Sequence, residues 1–234
     1  GLSLVSAVKN ALLPKSNGSG DGVIKTLIDS FLYPRRGPGM MWERVAEQLA
    51  TKDCEVRMRS SVERMFWSSD RVEAVEVATP DRPVRLEGSH FVSTMPIREM
   101  IAKLEPAPPA EVAEAAGRLN YRDFLTVALI VDREDLFPDN WIYVHDPDVK
   151  VGRVQNFKNW SPEMVPDPRK SCVGLEYFCF EGDGLWTSSD EDLVELGKRE
   201  MDLLGLIPAE AVEGGVVVRM PKAYPVYDEG YTEA

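Results

Sequence analysis

Apolar residues recur along the chain with two different periods, and the changeover falls near residue 121. Spacings of three and four predict helices over residues 2–13, 23–32, 40–50, 97–104 and 110–119. Shorter runs rich in Val, Phe and Trp predict strands over 54–58, 62–67, 71–78, 84–86 and 90–94, the last stopped by Pro96. Beyond Tyr121 the pattern becomes that of strands. Residues 124–131 form a nearly unbroken apolar run, the mark of a strand inside a sheet, and 140–145, 152–159, 172–180 and 216–220 follow at spacings suited to antiparallel pairing. A single long helix interrupts them over 189–204, opened by a capping box from Ser188 and Glu191 and carrying Leu193, Leu196, Leu203 and Leu204 on one face.

Runs of helix followed by runs of strand predict an α+β fold: an antiparallel sheet flanked by the helices of 97–119 and 189–204, beside a smaller β lobe. Three segments follow. Residues 1–39 make a helical segment with a glycine loop, 40–95 a helix and β meander, and 96–234 the larger α+β domain. The Ser-Asn-Gly-Ser-Gly-Asp-Gly run at 16–22 is expected to be a flexible tip; no strand precedes it and no Gly-Lys-Ser/Thr follows, so it is not a phosphate loop.

Composition narrows the function. With 27 Lys and Arg against 39 Asp and Glu, the formal charge of -12 repels a phosphate backbone, so no nucleic-acid partner is expected. An anionic small molecule could be held only by Arg or Lys placed locally against that field. Three cysteines without paired spacing, two histidines and no apolar run near membrane-spanning length point to a reduced, cytoplasmic protein with no membrane contact and no metal site. Neither a Gly-x-Ser-x-Gly elbow nor a Gly-x-Gly-x-x-Gly fingerprint is present.

Two clusters carry candidate chemistry. In 33–43 the loop glycines Gly37 and Gly39 precede a helix, where backbone and helix N-terminus can approach an anion or simply turn the chain. Further on stand Trp141-Ile142-Tyr143, Arg153, Asn159-Trp160 and Tyr224. On adjacent strands Tyr143 and Arg153 would share a face, where phenol and guanidinium could bind a diphosphate; the same spacing also fits ordinary sheet packing with Arg153 in solvent.

The segment FLYPRRGPGMMWERVAEQL at 31–49, the strand-like Phe91-Val92-Ser93-Thr94-Met95 and the block from Trp141 to Pro162 together resemble, in order, flavin amine-oxidase-like enzymes, and within them the eukaryotic UDP-galactopyranose mutases. Position by position, the resemblance implies substrate contacts from Tyr143, Arg153, Asn159, Trp160 and Tyr224, and FAD contacts from Gly37, Gly39 and the backbone of Val62. Trp160 falls where the mutases have a tyrosine; indole lacks the phenol oxygen, which speaks against a UDP-sugar as substrate.

The resemblance lacks both the leading dinucleotide fingerprint and a closing flavin segment. It therefore implies the central, substrate-binding portion of an FAD enzyme, inactive and flavin-free by itself, acting in its parent on a nucleotide sugar or other anionic substrate. The alternatives are an amine-oxidase-like or protoporphyrinogen-oxidase-like oxidoreductase and a non-catalytic binding module. Exposed apolar surface of the small lobe would favour self-association. Replacing Arg153 by Ala is expected to weaken substrate binding while leaving folding little changed.

Overall fold

The computed structural model describes residues 31–228 and 231; the helices expected over 2–13 and 23–32 and the glycine-rich run at 16–22 lie outside them, apart from Phe31 and Leu32. From Tyr33 onward the chain builds one unit containing two sheets. Helix α1 (Gly39–Ala50) comes first, then strands β1 (Ser61–Ser68), β2 (Arg71–Ala78) and β3 (Val84–Glu87). Helix α2 (Ile97–Ala102), the two-residue strand β4 (Leu104–Glu105) and helix α3 (Ala110–Arg118) lead into β5 (Tyr121–Val131). Strands β6 (Trp141–Tyr143) and β7 (Arg153–Asn156), the single-turn helix α4 (Phe157–Trp160), β8 (Ser171–Cys179), helix α5 (Asp190–Leu203) and β9 (Val212–Pro225) complete the order.

The first sheet runs β3-β2-β1-β4, antiparallel except that β4 pairs parallel with β1. Its small core joins Met65, Val75 and Val77 to Leu86, Phe91, Met95, Met100 and Leu104. The second sheet, β6-β7-β8-β5-β9, is antiparallel throughout, with β5 zipped between β8 and β9. An α+β fold with an antiparallel major sheet is therefore what the chain adopts.

Strict alternation along β5 explains the main core. Leu125, Val127, Leu129 and Val131 face inward beside Val173, Leu175 and Tyr177 of β8, all fully buried. Helix α5 covers that face with Leu193 and Met201. It packs closely because Gly197 presents no side chain: a Cβ there would lie 2.7 Å from a Leu175 methyl. The cap of α5 falls one residue later than expected. Ser189 Oγ accepts from the Asp192 amide at 3.1 Å, whereas Ser188 Oγ donates to the Gly184 carbonyl, and Leu203 turns outward at 65% exposure. Asp190, Glu191 and Asp192 in the first turn complement the helix dipole.

Two expected strands do not form. Residues 54–58 are irregular, preceded by Asp53 and followed by Arg59, both in left-handed backbone that ends extended pairing, with Met58 78% exposed. Residues 90–94 also stay outside the sheet: Phe91 drops into the small core while Val92 is 93% exposed, so the run anchors by one ring instead of a hydrogen-bonded ladder. Among the described residues no helix is long and apolar enough to cross a membrane.

Candidate functional site

The face of the large sheet opposite α5 is left partly open, and register alone decides what it displays. One cross-strand row runs Tyr143, Arg153, Glu176, Thr126, Val218, one residue from each of the five strands. Beside it Phe178 pairs with Phe124 and Phe124 with Met220, and Arg122 pairs with Tyr224. Of these residues Arg122, Tyr143, Arg153, Phe178 and Tyr224 line a cleft of about 510 Å³, completed by Pro225, Val226 and Tyr227. Its aromatic side is a cluster in which Phe124 lies 5.7 Å from Phe178 and 6.2 Å from Tyr224, centroid to centroid.

Beneath the cleft is a carboxylate that the sequence reading did not single out. Glu176 has a side chain only 2% exposed, and it accepts hydrogen bonds from Arg153 Nε and from Gln155 Nε2, one on each oxygen. Arg153 and Gln155 alternate on β7, so both point to the face on which Glu176 lies. Burial alone would lower the Arg153 pKa, but hydrogen bonds to Glu176 and Tyr143 outweigh it and hold the guanidinium above its usual range. The guanidinium carbon stands 5.8 Å from the Tyr143 ring centroid. Arg122 differs: it is exposed, 5.5 Å from the Phe180 ring centroid, and forms no ion pair among the described residues.

Of the five substrate-side residues expected from sequence, the structure brings Tyr143, Arg153 and Tyr224 to this cleft. Asn159 and Trp160 do not line it. Asn159 Nδ2 donates to the carbonyls of Phe137 and Asp139 at 2.8 and 3.0 Å, tying down the loop before β6. Trp160 stacks between Tyr33 and Trp141, each ring 5.0 Å away and tilted by 28°. Arg122, Phe178 and Tyr227 were missed. Strand alternation from Tyr224 through its partner Arg122 could have revealed the first, but Tyr227 lies past the end of β9 and no periodicity marks it.

Of the expected cofactor-side residues, Gly37 has φ +87°, a left-handed conformation that a side chain would strain, and its carbonyl accepts from Met40 N at 3.2 Å. Gly39 opens α1, and a Cβ there would meet nothing within 4 Å. The helix start has no side-chain cap and no acidic residue in its first turn. Val62 lies apart on β1, bordering a second cleft of about 440 Å³ with Ser60, Ser61, Met95 and Lys103 among its lining. Lys103 Nζ donates to the Val62 carbonyl at 2.7 Å, and Val62 pairs with Val77 of β2.

Solved structures with the same fold include, by their descriptions, a mutase and two oxidases. Reduced UDP-galactopyranose mutase matches with a TM-score of 0.72 at 16% identity over 86% of this chain and 43% of its own. A protein described as a protoporphyrinogen oxidase from Exiguobacterium sp. 255-15 gives 0.61 at 18% identity, over 84% of this chain and 41% of that one. Putrescine oxidase bound to putrescine gives 0.57 at 15%, over 83% and 42%. At such identities the likeness shows the fold alone, and the chain spans less than half the length of each. No curated protein sequence matches it. The family model for flavin containing amine oxidoreductases matches residues 11–213, most of the chain, and with the architecture above it establishes that this chain belongs to that family.

Proposed function

We propose that this chain supplies the substrate-binding portion of an FAD-dependent enzyme whose substrate carries an anionic group, such as the diphosphate of a nucleotide sugar. One observation carries the reading: in a chain of net charge -12, the cleft on the open sheet face is lined by two guanidiniums and no carboxylate. Three phenols, from Tyr143, Tyr224 and Tyr227, add hydrogen-bond donors, and the Phe178 ring gives a flat apolar wall for a sugar or base. A cationic amine finds no counter-charge in that lining, which disfavours an amine as substrate.

FAD, when bound, supplies the reactive chemistry, and this chain's residues position and neutralise the substrate. Gly39, open at its Cα and next to an uncapped helix N-terminus, fits a segment facing the flavin, with Gly37 providing the turn. Val62, on the rim of the second cleft, would present its backbone to the adenine end of the cofactor. The chain carries no Gly-x-Gly-x-x-Gly, so these residues furnish one wall of the cofactor site. The aromatic cluster of Phe124, Phe178 and Tyr224 also supports a second reading, a desaturating oxidase acting on a flat, carboxylated ring system.

Product analysis of the full-length, FAD-loaded protein separates the two: an isomerised sugar supports the first, peroxide with an unsaturated product the second. Titration with UDP tests the cleft. The structure also corrects how Arg153 can be probed. Removing it would strand the buried Glu176 carboxylate, which costs roughly 3–5 kcal/mol of stability when a buried pair is broken, so Arg153→Ala does not leave folding intact.

A further inference from the structure

The two guanidiniums of the cleft differ in what lies beneath them, and that difference divides their tasks. Arg153 has its charge offset by Glu176 and its Nε already committed, so it faces the cleft through its remaining N–H groups as an aimed donor. Glu176 itself is fixed by a second donor, Gln155 Nε2, and has both oxygens engaged. The sum of charge over Arg153 and Glu176 is zero. Arg122, across the cleft on β5, has no carboxylate partner among the described residues; an aromatic ring is its recorded neighbour.

We infer that Arg122 carries the uncompensated positive charge that binds the substrate anion, and that Glu176 is a positioning residue that aims Arg153 while cancelling its charge. This rests on the reading of the cleft as an anion site. Its chemical consequence is a site tuned for modest attraction. A ligand with two adjacent negative charges meets one net cation and several neutral donors, so discrimination comes from geometry at Arg153 and Tyr143 and attraction from Arg122.

The signs of the effects make this testable by calorimetric titration of the full-length protein with UDP and with inorganic pyrophosphate. Arg122→Gln should weaken UDP binding about tenfold or more, flatten its dependence on salt, and leave the unfolding midpoint unchanged, because an exposed side chain is lost. Glu176→Gln keeps shape and an acceptor for Arg153, while Gln155 can turn its amide to satisfy the new one. Removing the buried negative charge should tighten UDP binding at least about threefold. A purely structural Glu176 predicts the opposite sign, weaker binding together with lower stability. Equal UDP affinity in wild type and Arg122→Gln overturns the inference and leaves the anion reading standing. Wild-type protein that binds neither UDP nor pyrophosphate overturns both.

Discussion

Glu200 offers the sharpest test of how the fold holds its cleft. It lies in the C-terminal part of α5, where an acidic group is disfavoured by the helix dipole, yet it is 5% exposed and accepts three hydrogen bonds. The donors are the amides of Lys150 and Val151 at 2.7 and 3.2 Å and the hydroxyl of Tyr177 at 2.9 Å. Burial, then the Glu200 charge and hydrogen bond, push the Tyr177 phenol well above its ordinary pKa, so it remains a donor. Two of the donors are in the loop between β6 and β7, so Glu200 fixes the connection that sets Tyr143 against Arg153. In Glu200→Ala the Val151 amide and Tyr177 hydroxyl lose their partner inside the protein, at about 1–3 kcal/mol each, with a smaller loss at the half-buried Lys150 amide. The expected destabilisation is about 3–6 kcal/mol, read as a fall in the urea midpoint with linear extrapolation. Tyr177→Phe removes one charge-assisted bond and leaves packing intact, so it should cost only about 1.5–3 kcal/mol. A loss under about 1 kcal/mol for Glu200→Ala would show that water replaces the carboxylate and that the loop is not held by it.

Two further outcomes follow from packing and burial. At Gly215 on β9 a Cβ would lie 2.8 Å from the Ala128 carbonyl oxygen and 2.9 Å from a Val194 methyl, whereas at Gly214 it would meet nothing within 4 Å; Gly215→Ala should therefore cost about 1–3 kcal/mol in thermal or urea unfolding and Gly214→Ala close to nothing, and equal effects would refute the close approach. The Cys179 thiol is 2% exposed and burial, reinforced by Asp183 and Asp123, pushes its pKa up to about 11, while Cys54 is exposed; at pH 8 a disulfide reagent should modify Cys54 rapidly and Cys179 only on unfolding. Because that pKa is raised, the stability it contributes is complete below the ordinary thiol range and declines as pH climbs from there toward 11.

What the sequence disclosed, and what it hid, divides along a physical line. Strand β5 was legible because residues 124–131 are almost unbroken in apolar character, and the pairing of the Tyr143 strand with the Arg153 strand was legible because the two are consecutive and short. Glu176 was hidden for a different reason. An acid within the apolar run 172–180 has no local partner, and its two donors come from β7, on the far side of the loop and of α4. The failed strands at 54–58 and 90–94 had suitable composition, but left-handed backbone at Asp53 and Arg59 brackets the first and the Phe91 ring alone anchors the second, facts of the folded chain that composition does not encode. Trp160 was read as a ligand contact from resemblance; its two stacking partners are a β6 residue and Tyr33, one near and one far in sequence.

Strand β5 also imposes a timetable on biosynthesis. Both of its partners, β8 and β9, follow it in the chain, and the last of its pairings joins Tyr121 to Pro225. A ribosome adding roughly 5–20 residues per second completes that partner about 5–20 s after β5 emerges. Until β8 is made both edges of this apolar strand are unpaired, the edge that β9 takes stays open to the end of the interval, and the inward face waits for α5, which is also made later. Such a strand is a template for intermolecular pairing, so the growing chain depends on shielding of this one segment until β9 arrives.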